Sequence, residues 1–482
     1  MQQLTREWND RVWRRTLAVM AGGLILFYML CPVAPLRWAD LYAAYGKTAI
    51  IAMAAIYFFR ARLDGVKEVK LVIWYTIWFF ITRLLNTDYY LQNELELVIS
   101  RVLCCVVLPV GLLLEDRERR ILLDIMTAVM GGFYFVTALL SLYACVFGVF
   151  FPVGPEGVLI GLKNTYFESA FIYIVAWSTN RTISAVWFYL AWCMMIYEFF
   201  RCKNKLWRIP IVLAWFVFHW TLAFCFCRSI KLASCVSLAM LTILLGMQHL
   251  RIKKTAVKAW VIVLLAGASM LLCYKSYDWL TAGTAAIYNA MDVRVERTSD
   301  QYMTDSYKEN TKDGQNFEDV RDLRTSITNV SRRSDIYKSA IPAIRDEPLR
   351  LLIGKYSSKV MDGPRRYLEF PYFHMHNFLL QTLMLTGVIG FLLAAAFSLL
   401  LAVRMIRLFF STDPRAVLDI KLLTLPVSGI LIYGMFETIL FTQSADDRAF
   451  TDFRELFFFL LAGIVLAYSY ELAPPAKRRR RV

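Results

Sequence analysis

The sequence predicts an all-α polytopic membrane protein of about twelve membrane-spanning helices, and three observations carry that prediction. Of the 482 residues 58% are hydrophobic and only 19% charged, with a mean hydropathy of +0.48, so a water-facing surface could not cover what must be hidden. The apolar residues come in repeated runs of roughly 18 to 25, the length a helix needs to cross about 30 Å of hydrocarbon, where unpaired backbone groups are too costly for any open structure. Lys/Arg clusters bound these runs on alternate sides, as cytoplasmic loops do.

Taken in order, the spans fall near Thr16 to Cys31, Leu41 to Phe59, Leu71 to Leu85, Leu95 to Leu114, Ile121 to Phe147 and Ile183 to Phe200. A second set follows near Ile209 to Cys225, Ile230 to Met247, Ala256 to Cys273, Phe378 to Val403, Val417 to Leu440 and Phe453 to Tyr470. The first is expected to stay as a helix, because Pro32, Pro35 and Trp38 follow it instead of a small-residue cleavage site.

Orientation follows from the basic residues. Arg6, Arg11, Arg14 and Arg15 start inside, and the clusters at Arg60 to Lys70, Arg117 to Arg120, Arg201 to Arg208, Arg251 to Lys258 and Arg404 to Arg415 return to that side. The tail Lys477 to Arg481 ends there too, a topology anchor drawn to anionic lipids. Both termini are therefore expected in the cytoplasm. The short apolar stretch Tyr166 to Trp177 would break this parity as a full crossing, so it is expected to be a half-helix or interfacial segment on the outer side.

The chain is thus expected to divide into helices 1 to 9 over residues 1–273, a large, partly helical extracytoplasmic loop over 274–375, helices 10 to 12 over 376–472 and a basic cytoplasmic tail over 473–482. Within the loop, Asp335 to Leu352 has an amphipathic helical pattern. The formal net charge of +16 is spread over span flanks rather than gathered in one domain, which argues against a nucleic-acid partner. The ten cysteines lie mostly in apolar runs, with neither a disulfide framework nor the spacing of a zinc site.

Ionisable residues near a membrane are expensive and point to function. They gather on the outer side here. Arg83 near the end of the third helix and Arg101 about two turns into the fourth sit in the outer leaflet, where pairing with Glu94 or Glu96, or snorkelling to headgroups, is the structural explanation. Arg228 sits with Ser229 and Lys231 in the tight outer turn CFCRSIKLASC. Of four histidines, His219 lies within a helix and reads as a structural hydrogen-bonder, His249 is cytoplasmic, and His374 and His376 close the large loop. His376 opens the run HNFLLQTLMLTGVIG, beside Asn377 and ahead of a helix whose Gly387 and Gly390 permit close packing.

That run resembles the His-Asn signature of the O-antigen ligase and O-antigen polymerase superfamily. CRSIKLASCV is similar to the family's Ser-Arg-Gly turn, RSDIYKSAIPAIRDEPLRLLIGK resembles its Arg-x-x-x-Trp segment followed by Asp-x-Pro and a glycine, and Glu437 falls where members carry an outer-end glutamate. The resemblance covers the chain from about Asn164 onward. Ile230, Tyr337 and Leu385 depart from it, standing where members carry a small residue, Trp and Glu.

The resemblance implies a type C glycosyltransferase-like fold in the bacterial cytoplasmic (inner) membrane. The implied reaction moves a glycan from undecaprenyl pyrophosphate to an acceptor hydroxyl on the extracytoplasmic face. The acceptor would be a glycan, a lipid or a protein, and membrane lipids are partners throughout. His376 would be the general base. Arg228 and Arg333 would stabilise the pyrophosphate leaving group, with Asn377, Glu437 and Ser229 in support. Arg332 is the register alternative to Arg333, and His374 the alternative base. The chain has no Asp-x-Asp pair, so arginines are expected to replace a metal and no cofactor is expected.

A ligase and a repeat-unit polymerase of the same superfamily are not separated by the sequence. From another class, a lipid-linked glycan transporter or flippase would also have about twelve helices, but no internal repeat is apparent and the charges favour one leaflet.

Overall fold

The computed structural model describes residues 12–23, 26, 66–86, 106–147, 150–153, 158–165, 171–176, 181–225, 227–290, 330–355, 361–368, 375–441 and 453–472. The described residues are predominantly helical, and five of the helices are long and apolar enough to cross a membrane: 116–143, 205–225, 228–249, 255–284 and 378–409. The expected span at 41–59 lies outside the described residues. The chain clusters into two compact units, one of 1–29, 38–126 and 330–482, the other of 30–37 and 127–329.

In the first unit the helices are α1 (Lys67–Leu85), α2 (Asp116–Val129), which continues past the unit's end into a π turn, and helical stretches at 12–23 and 106–113. Each of α1 and α2 begins where the sequence turns basic and acidic and then apolar.

The second unit holds α3 (Phe135–Phe147), strands β1 (Phe150–Val153), β2 (Val158–Thr165) and β3 (Phe171–Ala176), and helices α4 (Arg181–Arg201), α5 (Lys205–Cys225), α6 (Arg228–His249) and α7 (Thr255–Ala290). The strands form one antiparallel sheet in the order β1-β2-β3, with Phe150 opposite Gly161 and Asn164 opposite Ile172. The fold is helical as expected, with this one small sheet added, and the stretch Tyr166 to Trp177, expected as a half-helix or interfacial segment, contains a strand from Phe171 to Ala176. The physical reason is local: FIYIVA is β-branched and aromatic, and GPEG between two apolar runs is hairpin composition. Helix α7 also continues well past Cys273 into the segment expected as loop.

Polar pairs lock these helices together. Tyr189 on α4 shares a 2.7 Å hydrogen bond with Ser237 on α6. His219 on α5 shares one of 2.7 Å with Ser276 on α7 and stacks on Trp215, the structural role its sequence setting indicated. Trp220 donates to Thr284 at 2.9 Å.

Back in the first unit, the chain re-enters with α8 (Val330–Asp346), α9 (Leu349–Ile353) and α10 (Asp362–Arg365), followed by α11 (Phe378–Phe409), α12 (Leu418–Leu422), α13 (Thr424–Gly434) and α14 (Phe453–Glu471). The run Val417 to Leu440 is therefore two short helices and a turn rather than one span. Pro426 explains the break, since it offers no N–H to the preceding turn and its ring crowds it. Helix α11 bends at Gly387, whose φ of 70° and ψ of −171° leave the helical region. A Cβ there would fall on the Leu352 carbonyl, and one on Gly354, with φ 66°, would fall on the Leu385 backbone. Two glycines thus let the end of α9 lie backbone to backbone against α11, where Lys355 N donates to the Met384 carbonyl at 2.8 Å.

Candidate functional site

The site grows from the start of α11. Asn377 caps that helix, its side-chain oxygen accepting from Leu380 N at 3.0 Å. The same side chain's amide donates to the Met435 carbonyl at 2.9 Å. One residue therefore ties the beginning of α11 to the turn after α13, two residues before Glu437. Gln381 adds to the frame by accepting from Met375 N at 2.9 Å.

His376 precedes the cap with a φ of 47°, a left-handed conformation that costs a non-glycine residue about 1 kcal/mol or more. Helix α8 holds it there. Tyr337 donates its hydroxyl to the His376 carbonyl at 2.9 Å. Four residues earlier on the same helix, and so on the same face, Arg333 Nη2 donates to Glu437 Oε1 at 2.9 Å. The adjoining face of α8 is anchored by Ile336, Ala340 and Ala343, which pack with Tyr337 against Met361, Met375, Met384 and Leu385. That packing is what makes an amphipathic helix out of the loop's Arg-x-x-x-Tyr segment.

The two halves meet at Glu437, which is buried to 7% exposure. Its second oxygen lies 3.2 Å from His376 Nδ1. The result is a line of three charged or chargeable groups, Arg333, Glu437 and His376, drawn from residues 61 and 104 positions apart. A carboxylate on Nδ1 fixes the imidazole's tautomer and orientation, the arrangement a general base needs. The His376 side chain keeps 23% exposure and that of Arg333 34%. Burial raises the Tyr337 hydroxyl above its ordinary pKa, so Tyr337 stays a donor to the His376 carbonyl across the neutral range.

Arg83, at the end of α1, is 2% exposed. It donates to the carbonyls of Lys355, at 2.9 Å, and Leu385, and its guanidinium lies over Phe79 at 4.9 Å. These partners are backbone groups at the glycine contact; Glu94 and Glu96, considered from sequence, lie outside the described residues. Arg228 and Ser229 open α6 in the second unit, Arg228 exposed and Ser229 buried with its hydroxyl 3.3 Å from Cys227 Sγ. Arg332 lies within α8, but its side chain, like Arg101 and His374, is outside the described residues.

Residues 217–395 match the family model described as O-antigen ligase. This matched segment is similar to the O-antigen ligases. No curated protein matches it. The matched O-antigen ligase segment contains Arg228, Ser229, Arg333, Tyr337, His376 and Asn377, whereas Glu437 and Arg83 lie outside it. Five helices long and apolar enough to span a bilayer among the described residues, together with this match, support an integral membrane protein.

Proposed function

We propose that the protein transfers a glycan from undecaprenyl pyrophosphate to an acceptor hydroxyl at the extracytoplasmic face of the bacterial inner membrane, in the manner of an O-antigen ligase. The observation that supports this most is the contact of His376 Nδ1 with a Glu437 carboxylate that Arg333 also binds. In the reaction the acceptor oxygen attacks the anomeric carbon, its proton passes to the His376 ring, and the bond from that carbon to the pyrophosphate oxygen breaks with the electron pair leaving on the pyrophosphate. Glu437 stabilises the imidazolium that forms. Arg333, whose fork carries five donors, holds Glu437 with one edge and offers its exposed part to the leaving phosphate. Arg228 supplies further positive charge in this reading, with Ser229 supporting its turn, and no metal takes part.

The test is reconstitution of the purified protein with a lipid-linked oligosaccharide and a hydroxyl acceptor. A single transfer to the acceptor supports ligation, and a ladder of lengthening lipid-linked chains supports the repeat-unit polymerase instead. Movement of the lipid-linked glycan across the bilayer with no bond broken would overturn the transferase reading in favour of a flippase.

A further inference from the structure

Helix α9 and the outer stripe of α8 show an exposure pattern that the site does not use. The described residues leave Ile341 71%, Leu349 64% and Leu352 53% exposed, while the one charged residue inside α9, Arg350, is turned inward at 2%. A water-facing helix would reverse that arrangement. Along α8, Lys338, Ile341 and Arg345 are all exposed at spacings of three and four, so a basic pair flanks the exposed apolar side chain on one face.

The height of α9 along the bilayer can be read from α11. Arg404 is the first basic residue toward that helix's far end, and roughly twenty residues, about 30 Å of helix, lead back from it to Met384 and Leu385. That is the level at which Gly354 and Lys355 meet α11. The exposed leucines of α9 therefore stand at the edge of the hydrocarbon, and the basic stripe of α8 leads away from it.

We propose that α9 and the exposed stripe of α8 form an interfacial anchor, whose leucines enter the acyl edge of the leaflet on the His376 side and whose Lys338 and Arg345 meet phospholipid phosphates. Charge and apolar surface complement the two layers of that leaflet in the order in which they are stacked. The anchor fixes the His376 line at headgroup height, where the phosphates of any lipid-linked molecule lie.

The experiment places a photo-crosslinking amino acid at Leu349, Leu352 or the exposed polar position Asp335 in the full-length protein, held in nanodiscs of defined phospholipid. Mass spectrometry is expected to find phospholipid adducts several-fold more abundant at Leu349 and Leu352 than at Asp335, in discs of phosphatidylglycerol and of phosphatidylcholine alike. Lys338→Ala/Arg345→Ala is expected to lower the yield in phosphatidylglycerol discs more than in phosphatidylcholine discs. Equal yields at all three positions would overturn the anchor, as would adducts at the leucines that form only after polyprenyl phosphate is added, which would make the patch a site for a polyprenyl chain. Neither readout depends on glycan transfer.

Discussion

The two ends of the first unit each carry a polar cluster, and the clusters are built on different terms. At the far end Glu68 of α1 is fully buried and receives Arg404 of α11 at 3.0 Å and the hydroxyl of Tyr470 of α14. Arg404 also lies over the Tyr470 ring at 4.0 Å. Beside it, Arg119 pairs with Glu471, Tyr468 donates to Asp116 at 2.8 Å, and Arg120 bridges Asp116 and Asp419 at 2.9 and 3.1 Å. Here charge meets charge across helices that end together, with ordinary backbone. At the His376 end His376 and Arg333 are partly exposed, Glu437 is buried, and His376 is held at φ 47°. The first cluster is a clasp, and the second keeps chemical groups accessible while fixing where they point. The strained backbone at His376, rather than exposure or the number of charges, sets the site apart from the clasp.

Substitutions can break this contrast. His376→Ala should cost the largest factor, about 10² to 10⁴ in the rate of glycan transfer, with an unchanged melting temperature, as assayed on purified protein. Glu68→Ala should do the reverse. It leaves Arg404 buried without its carboxylate and should destabilise by about 3 to 5 kcal/mol, seen as a lowered thermal midpoint in detergent, while the folded fraction retains its turnover.

Glu437→Gln sharpens the comparison, since it keeps the shape between Arg333 and His376 but removes the charge. Losing charge-assisted hydrogen bonds worth about 1.5 to 3 kcal/mol should slow transfer by roughly ten- to a hundredfold, with a far smaller change in melting. Tyr337→Phe should cost about 1 kcal/mol, divided between slower turnover and lower stability, while Tyr337→Trp retains bulk but not the hydroxyl aimed at the His376 carbonyl. The smallest effect should come from acid. The Lys355 ammonium bonded to Glu347 at 2.5 Å holds that carboxyl below its ordinary value of 4.5. Its contribution is present above that value and is lost as the pH falls through the lower folded pKa. Glu347→Gln should therefore flatten the acid limb of a stability–pH curve slightly.

Much of the site was legible because it is carried by short motifs. The His-Asn pair announced a helix start, and the structure gives Asn377 the cap. The spacing of Arg333 and Tyr337 placed both on one helical face. What could not be read was their meeting with Glu437, since a pairing across 104 residues leaves no local periodicity. Arg83 shows a related effect. Its acceptors are carbonyls at the kink made by Gly387 and at the contact made by Gly354, and a sequence does not show which carbonyls a bend releases.

In the fold, long apolar helices were plain from composition, whereas the sheet over Phe150 to Ala176 was hidden by its surroundings. Apolar strands of four to eight residues look like pieces of membrane helix when hydropathy alone is followed. The Gly- and Pro-containing stretch GPEG was the available signal in the sequence. Two non-glycine residues at positive φ, His376 and Phe441, share a device that no motif revealed: each carbonyl accepts a tyrosine hydroxyl, from Tyr337 at 2.9 Å and from Tyr75 at 2.7 Å.

The most direct measurement is release of undecaprenyl pyrophosphate from a labelled lipid-linked oligosaccharide by the purified protein in the presence of a chelator, comparing wild type with His376→Ala and Glu437→Gln. The account predicts release coupled to glycan transfer in wild type, a reduced rate in Glu437→Gln and none above background in a folded His376→Ala. Wild-type rates in His376→Ala would contradict it, and would remove the Arg333, Glu437 and His376 line from the chemistry.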